Sequence, residues 1–362
     1  MHSDELIRWM RDKNLTSIAK TQVPQLKNVI INSLNIRREG VLIIGDYGQP
    51  GNLCAPILAA GYYMATQSLG LNTVLVMQGV KDRSTQADSS VKYLLEKLKK
   101  ENAIILSLSN RLGKLGELGN IRGWIKKRKH KYLITTGLIG LRTEQTYALA
   151  DSININYKKI AKVGEKIKQE LDWAREIRII TLSGTNLKVD VTGHKALSNT
   201  GYVKEQGSGG NIPAGEVYIA PTKHGVDGQV VIDGSSRHKH GTMLINKPIK
   251  VTISRGMITK VEGGEEAKIL QNSIDWIKNR VRQPSSASMI GELGIGINPR
   301  AKIIGATIVD EKAYGTAHLG IGGNYWFGGH VFSSLHLDQV FRNPIIMVDG
   351  KELKMPRRNE LE

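Results

Sequence analysis

Between about Ser288 and Val340 the chain gathers side chains that can hold a cation or move a proton. They are Glu292 in GELGIG, His318 in GTAHLGIGGNYW, Tyr325 seven residues on, and His336 with Asp338 in SSLHLDQV. Glu216, from the earlier GNIPAGEVYIAP, adds a third carboxylate. Hard oxygen donors mixed with imidazole suit a borderline-hard divalent ion such as Zn, Mn, Co or Fe. Two such ions roughly 3.5–4 Å apart and sharing a carboxylate make a hydrolytic two-metal site.

Each motif also has a plainer reading. His336-Leu-Asp338 has i, i+2 spacing, so a strand over Ser334–Val340 puts both side chains on one face. Alone, that pair is a weak signal, since a buried histidine is more often a hydrogen-bonded core residue than a ligand. Small residues flank His318 and let the backbone approach a metal or substrate closely. Glu216 and Glu292 lie in apolar, glycine-rich runs. A carboxylate buried there needs either a metal or an ion pair with a Lys or Arg. The Tyr325 hydroxyl either donates to a developing oxyanion or its ring merely packs; spacing does not decide. His194, His224, His238, His240 and His330 have no acidic partner at ligand spacing, and SSRHKHG reads as a solvated loop.

The elements that must position these groups fall into two kinds. Residues 1–38 read as two helices, Asp4–Arg11 and about Gln22–Leu34. Gly40–Gly45 is an apolar run of the kind that forms a buried parallel strand. A loop, a helix over Ala55–Leu69 and a strand at Thr73–Met77 complete a βαβ unit. It repeats loosely through Ser90–Asn102, Ala103–Leu108 and Tyr132–Thr136. The loop Gly45–Gly51 lacks the spacing of a nucleotide-binding fingerprint and reads as a tight turn. Asp151–Arg175 is expected to be one amphipathic helix leading out of this half. Beyond it short strands crowd together: Ile177–Leu182, Leu187–Val191, Glu216–Ala220, Gln229–Ile232 and Ile249–Ser254, with a helix near Glu265–Arg280. The expected fold is therefore an N-terminal α/β domain with an open, mainly parallel sheet (1–176). A mainly antiparallel β metal-binding domain (177–362) follows, with a frayed tail at Met355–Glu362.

Composition narrows the function classes. A length of 362 residues suits two domains, and 40% hydrophobic residues with 39 glycines describe a soluble, turn-rich protein. The N-terminus has no apolar signal core, and no run reaches the roughly 18 apolar residues of a membrane span. The single cysteine, Cys54, cannot form an intrachain disulfide, so a cytoplasmic home is expected. The net charge of +18 raises nucleic acid as a partner, but the basic residues are scattered. The one dense run, Lys126-Lys127-Arg128-Lys129-His130-Lys131, has no interleaved aromatics, so a solvated basic surface is expected instead.

Taken together, the blocks resemble the thermophilic-type metallo-aminopeptidases, aminopeptidase T and aminopeptidase S. They are Asn211–Pro221, Asp227–Gly234, Gly291–Gly296, Asp310–Ala313 with His318 and Tyr325, and His336–Asp338, covering most of residues 208–340. The resemblance implies a homodimer that releases N-terminal residues from small peptides. It also implies two divalent ions (Zn, Co or Mn, with Fe possible) held by Glu216, Glu292, His318, His336 and Asp338. Glu292 would bridge the ions or shuttle a proton, and Tyr325 would stabilise the oxyanion. The sequence is similar, as a second choice, to the dihydroxypyridine ring-opening dioxygenases, which implies one Fe(II) on His318, His336 and Asp338. The full acidic set favours the two-metal hydrolase. A third expectation is a metal-binding member without catalysis.

Overall fold

The apolar run after Gly40 forms β1 (Val41–Asp46), buried along its whole length, in a computed structural model that describes residues 3–281, 283–333 and 335–362. β2 (Thr73–Gln78), β3 (Ala103–Ser107) and β4 (Lys131–Thr135) join it in the order β2-β1-β3-β4, every pair parallel. A strand covered on both faces needs apolar side chains on both, which is why β1 and β3 read as continuous rather than alternating. The crossover from β1 to β2 is the helix Cys54–Ser68, which is itself largely buried. Asp46 closes the turn after β1. Its carboxylate accepts from the Ser109 amide at 2.7 Å, the Ser109 hydroxyl at 2.5 Å and the Gly48 amide at 3.0 Å. The turn thus carries its own anion and leaves no amide cradle for a phosphate. Burial raises the Asp46 pKa, against the pull of those hydrogen bonds.

The remaining strands follow in chain order: β5 (Glu176–Ile180), β6 (Asn186–Asp190), β7 (Leu197–Asn199), β8 (Gly209–Asn211), β9 (Glu216–Ile219), β10 (Val226–Ile232) and β11 (Ser235–His238). Then come β12 (Gly241–Leu244), β13 (Ile249–Ser254), β14 (Met257–Glu262), β15 (Ile290–Gly296), β16 (Thr316–Gly322), β17 (His336–Arg342), β18 (Ile345–Val348) and β19 (Lys351–Glu352). β8 returns to the parallel sheet beside β4. The others build two seven-stranded sheets, β14-β13-β10-β6-β5-β18-β19 and β12-β11-β17-β16-β15-β9-β7. Their pairings are antiparallel. The protein is thus an α/β unit with a parallel sheet plus a unit of antiparallel sheets. The first unit takes residues up to Lys158 together with Gly201–Ala214; the second takes Lys159–Thr200 and Gly215–Glu362.

Several local expectations change. The single helix expected over Asp151–Arg175 is two, Thr146–Ile153 and Tyr157–Asp172. The Asn28 amide donates to Asn154 Oδ1 and to the Ile155 carbonyl, both at 3.1 Å, so groups at the break are satisfied without a continuous helix. The basic run is not wholly solvated: His130 and Lys131 are buried, and Lys131 Nζ lies 2.7 Å from Glu39. Trp124 stacks on His130 and carries the Arg128 guanidinium on its ring, so an aromatic neighbour from the preceding helix turns this run inward. His238 ends β11 instead of lying on a loop. The tail forms a short helix, Arg358–Leu361, in which Leu361 is fully buried and Arg358 Nε donates to the Pro299 carbonyl at 2.7 Å. Of the strand expected over Ser334–Val340, Ser334 lies outside the described residues, and β17 begins at His336. Among the described residues no helix is long and apolar enough to cross a membrane.

Candidate metal centre

Strand alternation sorts the last sheet into two faces. Val217, Ile219, Leu293, Ile295, Ala317, Leu319, Ile321 and Phe341 are buried apolar residues of one parity. The opposite parity carries Glu216 on β9, Glu292 on β15, His318 on β16, and His336 with Asp338 on β17. Antiparallel register then sets a glycine opposite each of them. Glu216 faces Gly296, His318 faces Gly294, both Glu292 and Asp338 face Gly320, and His336 faces Gly322. The glycines are where the polar side chains lie down. A Cβ on Gly294 would stand 2.1 Å from His318 Nε2, and one on Gly320 would stand 2.4 Å from His336 Nε2. This is the structural content of GELGIG and HLGIGG: alternate positions give up their side chains so that neighbouring strands can fold theirs across the gap.

The result is a buried network in which all five expected ligands meet. His336 Nε2 lies 2.9 Å from Asp338 Oδ1 and 3.4 Å from Glu292 Oε2. His318 Nε2 lies 3.2 Å from Glu292 Oε1 and 3.9 Å from Glu216 Oε2. His336 Nδ1 donates to the Gly323 carbonyl at 2.8 Å, which turns Nε2 toward the Asp338 and Glu292 carboxylates. His318 Nδ1 is buried with no hydrogen-bond partner among the described residues. Two residues that sequence reasoning did not select join the cluster: Glu311 and Lys312, which follow the short helix Thr307–Asp310. Lys312 Nζ is 2.5 Å from Glu216 Oε1 and also contacts Glu311. Glu216 therefore has an ion-pair partner in Lys312. The only sequence signal for Lys312 was its place in the block DEKA, because the contact depends on where a turn lands against β9.

Charge balance explains the protonation pattern. Burial works against a charged His336, but the Asp338 carboxylate outweighs it and pushes the imidazole up to about 10. For His318 burial likewise opposes charge, and the Glu292 carboxylate pushes it up to about 9. Burial opposes the Asp338 anion too, yet His336 holds it well below the usual carboxylate range. Burial, joined by the neighbouring Asp338 and Glu216 charges and only partly offset by Lys312, lifts Glu311 to about 8. Protons stand between these anions at neutral pH, where a divalent ion would displace them.

Donor atoms within 4.8 Å of one another form three overlapping clusters: Glu216–Glu292–His318, Glu292–His336–Asp338 and Glu311–His318–Asp338. Buried carboxylate oxygens, imidazole nitrogens and an unsatisfied His318 Nδ1 are the donor chemistry of a metal such as iron, so the residues present fit one. The trio His318, His336 and Asp338 does not close as a single cluster. His336 falls in one and His318 in the other two, linked to it through Glu292 and Asp338. Tyr325 belongs to a group of aromatic residues. Its ring is 52% exposed, stacked on Phe332 at 5.8 Å and edge-on to Trp326 at 5.3 Å. Trp326 in turn meets His336 edge-on at 5.5 Å, so an aromatic array borders the polar cluster. Phe332 also lines a cavity of about 330 Å³ with Lys223, Met289 and His330.

Comparison with known proteins bears on the reaction. The family model described as "NicX: 2,5-dihydroxypyridine 5,6-dioxygenase" matches residues 146–355. A 2,5-dihydroxypyridine 5,6-dioxygenase of Pseudomonas putida KT2440 is 25% identical over 190 residues, 50% of this chain and 53% of that protein. The match thus spans about half the length of that curated relative. A solved structure of 2,5-dihydroxypyridine dioxygenase from Pseudomonas putida KT2440 superposes with a TM-score of 0.69 at 18% identity, covering 93% of this chain and 98% of that one. Wild-type AmpT from Thermus thermophilus gives 0.59 at 14% identity, with 93% and 98% coverage. At those identities both structures speak for the fold. The expectation of a peptide hydrolase is corrected by the family and the curated relative, which are dioxygenases, that is, oxidoreductases. The physical reason is that the blocks behind that expectation largely trace the site sheet, a frame that superposes on both kinds of structure.

Proposed function

Because the chain belongs to the family of 2,5-dihydroxypyridine 5,6-dioxygenases, we propose that it is a metal-dependent dioxygenase that opens the ring of a hydroxylated pyridine. The observation that carries this reading is the buried carboxylate–imidazole cluster bordered by half-exposed flat rings, with Trp326 edge-on to His336 at 5.5 Å. Stacked and edge-on rings are the contacts a planar heteroaromatic substrate makes best. Trp326, Tyr325 and Phe332 would seat the ring, and Lys223 in the adjoining cavity would favour an ionised ring hydroxyl. The metal would be drawn from donors among Glu292, His318, His336 and Asp338. An iron ion bound there would supply the one-electron chemistry that lets O2 react with an electron-rich ring. The chain's own part is to fix donors and protons. The Gly323 carbonyl holds the His336 proton on Nδ1, and His318 hydrogen-bonds Glu292, setting the direction in which its carboxylate points.

The test is oxygen uptake by protein loaded with Fe(II) under anaerobic conditions and then given 2,5-dihydroxypyridine and related hydroxypyridines. The expected result is consumption of one O2 per substrate and a product containing both oxygen atoms, traced with labelled O2. Substrate-independent or absent uptake across the panel would overturn the proposal.

A further inference from the structure

Lys312 decides how the carboxylates of this centre are shared. We propose that its ammonium group is a built-in cation that fills one end of the cluster and limits the centre to a single metal ion, held by Glu292, His336 and Asp338. The inference rests on the metal-dependent reading above, in which one iron is expected, and adds the residue that holds the centre to one ion and the donors left to bind it.

Of the three donor clusters, one contains Glu216 and another contains Glu311, and both of these carboxylates are paired with Lys312 Nζ. The cluster Glu292–His336–Asp338 contains neither. Lys312 is only 2% exposed, so its charge cannot be left to solvent. Nor can the side chain easily swing away. Its amide donates to the Val309 carbonyl at 3.1 Å, and its carbonyl accepts from the Asn298 amide at 2.8 Å, so the backbone is held on both sides. A second divalent ion beside Glu216 would have to sit against this ammonium in a site that water does not screen. It would also compete for a carboxylate whose Oε1 is already 2.5 Å from Nζ. At the other end, His336 donates its Nδ1–H to the Gly323 carbonyl and turns Nε2 toward two carboxylates that Lys312 does not touch. His318, hydrogen-bonded to Glu292, would then orient that ligand from outside the coordination sphere.

The experiment is metal content per chain, measured by mass spectrometry on stripped protein reloaded with Mn(II). Electron paramagnetic resonance on the same samples separates an isolated ion from a magnetically coupled pair. Wild type is expected to bind one uncoupled ion, and Lys312→Met to take up a second ion and show a coupled signal. Lys312→Arg should return to one ion. Should Lys312→Met fail to fold, Glu216→Gln in the otherwise native chain reports instead. It keeps one ion with affinity within about twofold of wild type if Glu216 serves the lysine, and loses metal if Glu216 is a ligand, which overturns the proposal. Two ions in wild type, or one ion in folded Lys312→Met, would also overturn it. No ion in wild type with Mn(II), Fe(II) or Co(II) would instead refute the metal-dependent reading on which it stands.

Discussion

Replacing Gly320 by alanine tests whether the glycine rows exist to make room for the centre. Gly320 is paired with Glu292 on β15 and with Asp338 on β17, so its backbone is held from both sides. A methyl group there would stand 2.4 Å from His336 Cε1 and Nε2 and 2.8 Å from Glu292 Cβ. Ordinary contact begins near 3.4 Å, so the imidazole must withdraw by about 1 Å. It can do so only by loosening the Nδ1 bond to Gly323, at 2.8 Å, or its 2.9 Å approach to Asp338. Overpacking of this kind costs about 1–3 kcal/mol of stability. A displacement of about 1 Å at a reacting centre costs on the order of 10²-fold in rate, or about 2.7 kcal/mol of barrier. Gly320→Ala should therefore lower the melting temperature, weaken Fe(II) binding in a fluorescence titration and cut oxygen uptake by about two orders of magnitude. Gly123, an exposed helical glycine with no atom within 4 Å of its would-be Cβ, is the control. Its alanine variant should gain about 0.5–1 kcal/mol. Unchanged metal affinity and turnover in Gly320→Ala would refute the reasoning.

Trp326→Ala should raise KM for the aromatic substrate roughly 2- to 13-fold, from about 0.5–1.5 kcal/mol of ring contact, and leave metal content as in wild type. An unchanged KM would remove the aromatic array from the substrate site. In chelated protein, His318 and His336 are raised to about 9 and 10, and Glu311 to about 8. The native state then binds more protons than the unfolded chain. The imidazoles' share of stability is complete below about pH 6.5, their unfolded value, and is lost as pH rises through 9 to 10. Metal affinity should rise over the same interval as the competing protons leave. A melting temperature of the metal-free protein that is flat or climbs from pH 6.5 to 10 would contradict this assignment. Leu361→Ala empties a fully buried position in the terminal helix and should cost about 2 kcal/mol or more in thermal or denaturant unfolding. A neutral result would return the tail to solvent.

Local sequence determined the strands that carry the candidate ligands. His336 and Asp338 share a face because strand side chains alternate, and Glu292 and His318 stand out as polar residues in runs otherwise apolar or glycine. The α/β half and its crossover helix were legible for the same reason, since periodicity is set by neighbours a few residues apart. What an element meets across space was not. Tertiary structure set each candidate ligand opposite a glycine, because register belongs to a pair of strands and not to either one. It brought Lys312 and Glu311 into the cluster through a turn, and set Tyr325 among half-exposed rings. It also turned His130 and Leu361 inward. The reaction was the hardest part to read, because the blocks that specify this sheet specify a frame for holding cations and leave its chemistry to the side chains packed around it.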